Sequence, residues 1–232
     1  GSKINFIDTP GYFDFIGEVN AALRAAEAAV IMVDAGAGIQ VGTEQAWNAC
    51  ERYKKPRFIV INKRDKDEFD FYKTFDELKA KFGDTLIPFS WPLTAEIDEG
   101  LKEAIAMTDD ALMDKYFNGE NFTDEEIKKG LIKGIADGGI VPVCSSAFSI
   151  GAGLSGLLDL LLTYAPTPLQ HGPYAGFNDD NEPVERISVV DGPMSAFVFK
   201  TIADSFVGKI SIMKVVTGKI KSGTEVLNER TG

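Results

Sequence analysis

Residues 58–65 read F-I-V-I-N-K-R-D, an apolar run that passes directly into four polar residues. A short apolar run bounded by turn residues is typical of a strand that is buried on both faces of a parallel sheet. In such sheets ligands bind beyond the carboxyl ends of the strands, where Asn62, Lys63 and Asp65 would stand. The stretch therefore predicts a buried parallel strand whose last residues face a ligand.

These three side chains suit a guanine base. The carboxylate of Asp65 can accept hydrogen bonds from both N1–H and the 2-amino group of guanine, and adenine lacks this pair of donors. The stem of Lys63 can lie along the base while its ammonium stays in water, and the amide of Asn62 can serve N7 and the neighbouring loops. The pattern predicts a guanine-nucleotide site, with a charged loop after a strand as the alternative.

A second candidate motif, D-T-P-G at residues 8–11, follows an apolar run at residues 3–7. Asp8 at a strand end can hold a water of Mg²⁺, which keeps much of its hydration shell. Gly11 lets the backbone N–H approach a γ-phosphate oxygen, and Thr9 and Pro10 complete the turn. The alternative is an ordinary turn between a strand and a helix.

A third candidate is the tripeptide Ser145, Ser146 and Ala147, which follows the apolar run at residues 140–144. The backbone N–H groups of these small residues can bond O6 of guanine, where adenine carries an amino group. The tripeptide alone predicts little. Its weight comes from the order of the three motifs, each of which stands at a predicted strand end within one domain.

Strands and helices alternate over residues 1–165, which predicts an α/β domain with a mostly parallel sheet. Residues 166–192 are predicted to be a proline-rich linker, and the alternating pattern beyond them predicts the beginning of a β-barrel domain over residues 193–232. The predicted strands are 3–7, 28–33, 57–61, 86–88, 140–144, 194–201, 207–216 and 219–227, and the predicted helices are 14–27, 43–54, 69–82, 95–117, 123–136 and 154–164. The segment 219–227 also includes a predicted turn at Ser222 and Gly223.

Composition excludes several classes of protein. The 232 residues carry 24 basic and 35 acidic side chains, and the net charge of -11 argues against a broad nucleic-acid-binding surface. Two cysteines indicate neither a zinc site nor a disulfide framework, so we expect reduced thiols and a cytoplasmic protein. The apolar runs are shorter than the ~18 residues of a membrane span.

The sequence resembles the elongation factor G family of translational GTPases along essentially its whole length. The resemblance rests on the motifs above and on residues 3–11, 148–168, 197–201 and 208–210. It implies a P-loop GTPase-type sheet followed by a β-barrel, binding of GTP or GDP with Mg²⁺, and ribosome-stimulated hydrolysis coupled to tRNA–mRNA movement. We also expect a monomer that does not recognise a nucleic-acid sequence directly.

Tyr12 departs from the family, which usually has a histidine there to position the attacking water. A phenol with a pKa near ~10 cannot replace an imidazole that ionises near neutrality, although its hydroxyl can still orient a water. The usual catalytic role is therefore in doubt at Tyr12. The substitution favours a divergent elongation-factor-G-like paralogue.

The phosphate-loop motif G-x-x-x-x-G-K-[ST] does not occur in the 232 residues. We therefore expect the sheet to be incomplete at its amino end, with its first strand absent. We also expect the chain alone to bind GTP weakly without measurable hydrolysis. The family inserts a subdomain where Thr94 meets Ala95, and we predict a gap there. We therefore interpret the sequence as part of a longer polypeptide.

Two alternatives to a translocation factor stay open. The first is a ribosome-binding regulatory or protection-type GTPase that uses GTP as a timer, which Tyr12 favours. The second is a nonenzymatic interaction module with a vestigial nucleotide site. Retention of both N-K-x-D and D-T-P-G weighs against the second alternative.

Overall fold

A computed structural model of the protein describes residues 1–66, 70–90, 97–178, 180–229 and 231–232. Its backbone divides into two units, Gly1–Pro166 and Thr167–Gly232. The predicted gap between residues 94 and 95 lies outside the described residues, as does the predicted start of a helix at residue 69. The assignment of residues 1–165, 166–192 and 193–232 to functional domains stays a prediction.

The first unit contains a parallel sheet of four strands. In chain order they are β1 (Ala29–Asp34), β2 (Arg57–Asn62), β3 (Leu86–Pro88) and β4 (Val141–Ser145). Their spatial order is β1-β2-β4-β3, and each neighbouring pair is parallel. The predicted mostly parallel α/β sheet is confirmed. The motif N-K-R-D follows a central strand of this sheet.

Helices connect these strands, and most follow the predicted ranges closely. The predicted helix over residues 95–117 is instead two helices, because the chain turns at Thr108 and the side chain of Asp109 caps a new helix by accepting from the Ala111 N–H at 2.9 Å. The helices are α1 (Ile16–Ala25), α2 (Val41–Arg52), α3 (Phe71–Phe82), α4 (Glu99–Ala106), α5 (Asp110–Phe117), α6 (Asp124–Asp137) and α7 (Leu154–Tyr164).

Helices cover both faces of the sheet, and β2 shows why its sequence is apolar throughout. Phe58 and Val60 belong to a core shared with α4, α6 and α7. Ile59 and Ile61 belong to the opposite core, shared with α2 and α3. Successive side chains of a strand point to opposite faces, so a strand covered on both sides must be apolar at each position. Both cores therefore position β2 and, with it, the carboxyl end of the strand.

The predicted strand at residues 3–7 is wrong. These residues have no regular structure, although Ile4 packs against the core shared with α4, α6 and α7. Phe6 and Ile7 are 64% and 42% exposed. A strand requires a hydrogen-bonded neighbour, and within the described residues β1 pairs with β2 alone. The apolar pattern is therefore present at residues 3–7 without the ladder that would make it a strand.

The second unit consists of antiparallel strands, as predicted for the beginning of a β-barrel. The first two are β5 (Tyr174–Phe177) and β6 (Pro183–Arg186), and the longer pair is β7 (Ser195–Asp204) and β8 (Gly208–Thr217). The predicted strands at 194–201 and 207–216 are confirmed within a few residues.

Two predictions in the second unit need correction. Residues 166–192, predicted to be a linker, contain the β5–β6 hairpin, which short strands and prolines conceal in the sequence. Residues 219–227, predicted to contain a turn at Ser222 and Gly223 and a strand, contain the turn but no strand. Within the described residues this segment has no strand to pair with, so its alternating pattern is not enough to form one.

Within the described part of the chain, no helix combines the length and apolar character needed to cross a membrane.

Candidate functional site

Asn62 connects two strand ends through its side chain. It is the last residue of β2, and the Oδ1 atom accepts hydrogen bonds from Ser146 Oγ at 3.0 Å and from the Phe148 N–H at 3.2 Å. Both donors lie in the loop that follows β4, which pairs with β2. The amide of Asn62 therefore holds the two loops together, which is one of the two tasks expected of it from the sequence.

Asp65 contacts the same loop from its own side. Its Oδ2 atom accepts from Ser149 Oγ at 2.9 Å, and the preceding Arg64 N–H donates to the Ser146 carbonyl oxygen at 3.1 Å. The side chain is exposed, and a carboxylate offers about four lone-pair positions. One hydrogen bond from serine thus orients the Asp65 carboxylate and leaves acceptor positions for a ligand.

The loop after β4 is closed on itself. Ala147 and Ala152 exchange two backbone hydrogen bonds of 2.9 and 3.0 Å. Gly153 has a φ of +85°, and a Cβ added to it would lie 3.0 Å from the Ser145 carbonyl oxygen. A side chain at position 153 would therefore both strain the backbone and push against the loop. Ser146 and Ala147 are buried inside this turn.

The N–H groups of Ser146 and Ala147 already have partners within the protein, and the expected contact of the tripeptide with guanine O6 stays a prediction. The Ser146 N–H donates to the Ile61 carbonyl oxygen at 2.9 Å, and the Ala147 N–H donates to the Ala152 carbonyl oxygen at 2.9 Å. The sheet and the loop closure thus occupy both donors. A ligand oxygen would have to share the Ala147 N–H in a three-centre hydrogen bond.

Asp34 is a site residue that sequence analysis missed. It ends β1, and its Oδ2 forms an ion pair with Lys63 Nζ, while its Oδ1 accepts from the Gly36 N–H at 2.9 Å. These two bonds, with that from Lys63 the larger, lower the pKa of Asp34 below its ordinary value. A search for polar residues at the carboxyl ends of apolar strands, which found the other candidates, could also have found Asp34.

The D-T-P-G motif lies in a separate cluster. Together with Tyr12 it lines a cleft of about 570 Å³ bounded by α1, β1 and the start of α2. Asp8, Gly11 and Tyr12 are exposed, and Tyr12 keeps 77% of its surface. The lining of this cleft does not include Asn62, Lys63 or Asp65. The structure therefore assembles the base-reading candidates and leaves the phosphate candidates in their own cleft.

Within the described residues, no cluster of three or more His, Cys, Asp or Glu side chains could hold a metal ion. The predicted Mg²⁺ contact needs only one carboxylate, since Mg²⁺ retains several waters and often takes few protein ligands. The exposed Asp8 fits such a water-mediated role. The Mg²⁺ site stays a prediction.

Several known proteins are similar to this chain. The family described as elongation factor Tu GTP binding domain matches residues 1–167. Elongation factor G of Thermotoga neapolitana is 32% identical over 100% of this chain and 39% of its own length. Elongation factor G of Amoebophilus asiaticus is 34% identical over 99% of this chain and 38% of its own length. A crystal structure of a Thermus thermophilus protein matches with a TM-score of 0.73 and 30% identity, over 94% of this chain and 36% of that one.

The parallel sheet with helices on both faces defines a domain of the α/β class. The chain belongs to the family of the elongation factor Tu GTP binding domain, and in its full length it is similar to elongation factor G. It is thus a GTP-binding domain of the translation-factor type. The chain spans about two fifths of the length of the curated relatives it matches.

Proposed function

We propose that this protein is a GTP-binding translation factor that acts on the ribosome and couples GTP hydrolysis to tRNA–mRNA translocation. The observation that carries the proposal is the link between the N-K-R-D motif and the loop after β4, made by Asn62 Oδ1 at 3.0 and 3.2 Å. That link brings together the side chains that can read a guanine base. The proposal also includes a monomeric protein of the cytoplasm.

Each base-reading residue has a distinct part in this proposal. The Asp65 carboxylate, oriented by Ser149, accepts from N1–H and the 2-amino group of guanine. Lys63 lays its methylene stem along the base, and the Asn62 amide nitrogen is the group that can reach N7. Because adenine lacks the paired donors, Asp65 is the residue that discriminates between the two bases.

The phosphate end of the nucleotide is assigned to the second cluster. Asp8 would hold a water of Mg²⁺, and the Gly11 N–H would donate to the γ-phosphate. The metal, when bound, neutralises charge on the phosphates. Tyr12 is exposed, and in this proposal its hydroxyl would orient a water but would not take its proton.

Titration of the whole protein that contains this chain tests the proposal. We expect GDP to bind with a Kd of about 1 μM or tighter, equivalent to roughly −8 kcal/mol. We expect ADP to bind at least about 100-fold more weakly, because it leaves the Asp65 carboxylate unpaired. The mass of the intact protein is measured first, and the binding of GDP and of ADP to the same sample is then measured by calorimetry. Equal affinity for GDP and ADP would refute the guanine assignment.

Tyr12 favours a second candidate function, that of a ribosome-binding regulatory or protection-type GTPase with slow hydrolysis. Tyr12 lines the cleft together with Asp8 and Gly11, at the position where the family resemblance implies a histidine. A factor that hydrolyses GTP slowly would stay on the ribosome for longer, which suits a timer better than a rapid translocase.

Replacement of Tyr12 distinguishes these two functions. We expect Tyr12→His to raise ribosome-stimulated GTP hydrolysis by about tenfold or more, because an imidazole restores proton transfer near neutral pH. Tyr12→Phe is the matched control, since it removes only the hydroxyl, and it should lower or leave unchanged the rate. Measurement of phosphate release with ribosomes would show this. Rapid hydrolysis by the unchanged protein, together with mRNA movement, would exclude the regulatory candidate.

A further inference from the structure

The ion pair between Asp34 and Lys63 joins the carboxyl ends of β1 and β2. We propose that Asp34 is the positioning residue of the base-binding site, which fixes the Lys63 side chain across the place where guanine stacks. This inference rests on the proposed function, because it assigns a partner to one of the base-reading residues. Asp34 itself would not contact the nucleotide base.

Hydrogen bonds within the turn after β1 position the Asp34 carboxylate independently of Lys63. Asp34 lies opposite Asn62 in the β1–β2 ladder, and its Oδ1 accepts from the Gly36 N–H at 2.9 Å. Its carbonyl oxygen accepts from the Gly38 N–H at 2.9 Å and so closes the turn after β1. The second carboxylate oxygen is therefore presented at a defined place beside the end of β2.

The backbone of Lys63 complements this arrangement. Lys63 has a φ of +69°, a left-handed conformation that residues other than glycine adopt rarely. The turn at this residue lets Asn62 bond the loop after β4 while Lys63 reaches in the other direction, to the end of β1. The ammonium is thus tethered at β1, and the methylene stem lies between the two strand ends.

The pair is only partly shielded in this structure, with the side chains of Lys63 and Asp34 53% and 30% exposed. Water and salt therefore weaken it at present. A base lying on the Lys63 stem would exclude water from one side, and the attraction between the two charges would grow as the local dielectric falls. The contribution of Asp34 should therefore appear mainly in nucleotide affinity and little in the stability of the fold.

A double-mutant cycle on the whole protein tests this role, with GDP as the probe and calorimetry as the measurement. Asp34→Asn keeps the shape and an oxygen that can accept from Gly36, but it removes the charge. We expect it to weaken GDP binding about three- to tenfold when Lys63 is present. In the background of Lys63→Met, which keeps an apolar stem, we expect Asp34→Asn to change the affinity less than about twofold.

Asp84→Asn is the matched control. Asp84 also forms an ion pair with a lysine, Lys79, at 3.5 Å. It precedes β3 and so lies at the opposite end of the strands, and its replacement should leave GDP affinity unchanged. If Asp34→Asn has the same effect with and without Lys63, Asp34 does not act through Lys63 and the inference is overturned. If the unchanged protein fails to bind GDP, the proposed function falls and this role falls with it.

Discussion

Asp65→Asn is expected to turn a guanine-preferring protein into a xanthine-preferring one. The Asp65 carboxylate accepts from two guanine donors, and an amide in its place would present its own N–H₂ to the 2-amino group. Xanthine carries an oxygen at that position and can accept from the amide. The bond from the 2-amino group is lost and N1–H no longer donates to a charged oxygen, so GDP should bind roughly 10²- to 10⁴-fold more weakly, and xanthosine diphosphate should bind more tightly than GDP.

The loop itself should survive this change. Ser149 Oγ donates to Asp65 Oδ2 at 2.9 Å, and the oxygen of an asparagine can accept the same bond. Asp70→Asn is the control, because Asp70 lies in the same stretch and caps α3 through the Lys73 N–H, a task that asparagine performs equally well. Competition between GDP and xanthosine diphosphate on the whole protein measures the result. An Asp65→Asn protein that still prefers GDP would show that Asp65 does not read the base.

Phe58→Ala is expected to cost the most in stability. Phe58 is 0% exposed in the central strand β2, where it packs in the core with α4, α6 and α7. Replacing a fully buried phenyl ring removes apolar contacts from the core and leaves a cavity, and together these lower the free energy of unfolding by about 3–5 kcal/mol. Domains of this size are stable by only ~5–15 kcal/mol, so the change would remove a substantial part of that margin. Because β2 ends in the N-K-R-D motif, nucleotide affinity should fall as well.

Urea unfolding followed by tryptophan fluorescence measures this cost, since Trp47 lies against the Phe82 ring with a centroid distance of 4.5 Å. Phe117→Ala is the matched control, because the same ring is removed from a side chain that is 77% exposed at the end of α5. That change should stay within about 0.5 kcal/mol. Similar losses at both positions would contradict the central role of β2 in the core.

Local pattern was sufficient where burial and turn chemistry act on neighbouring residues. The run at residues 58–61 predicted β2 because a strand covered on both faces must be apolar throughout, and helix α7 follows its predicted range at residues 154–164. The same reasoning failed at residues 3–7 and 219–227. Those segments have the pattern of strands, but the described residues provide no partner for their backbones.

The same distinction applies to the features of the candidate site. The chemical groups at the strand ends could be predicted from the residues alone, because side-chain identity fixes what Asn62, Lys63 and Asp65 can donate or accept. Which of these groups have partners depends on the fold: the Asn62 side chain accepts from the loop after β4, and the Ala147 N–H donates to Ala152. Only the fold brought Asp34 to Lys63, 29 residues apart. Hydrogen bonds and ion pairs depend on distances between atoms, and distances across strands arise only when the sheet has formed.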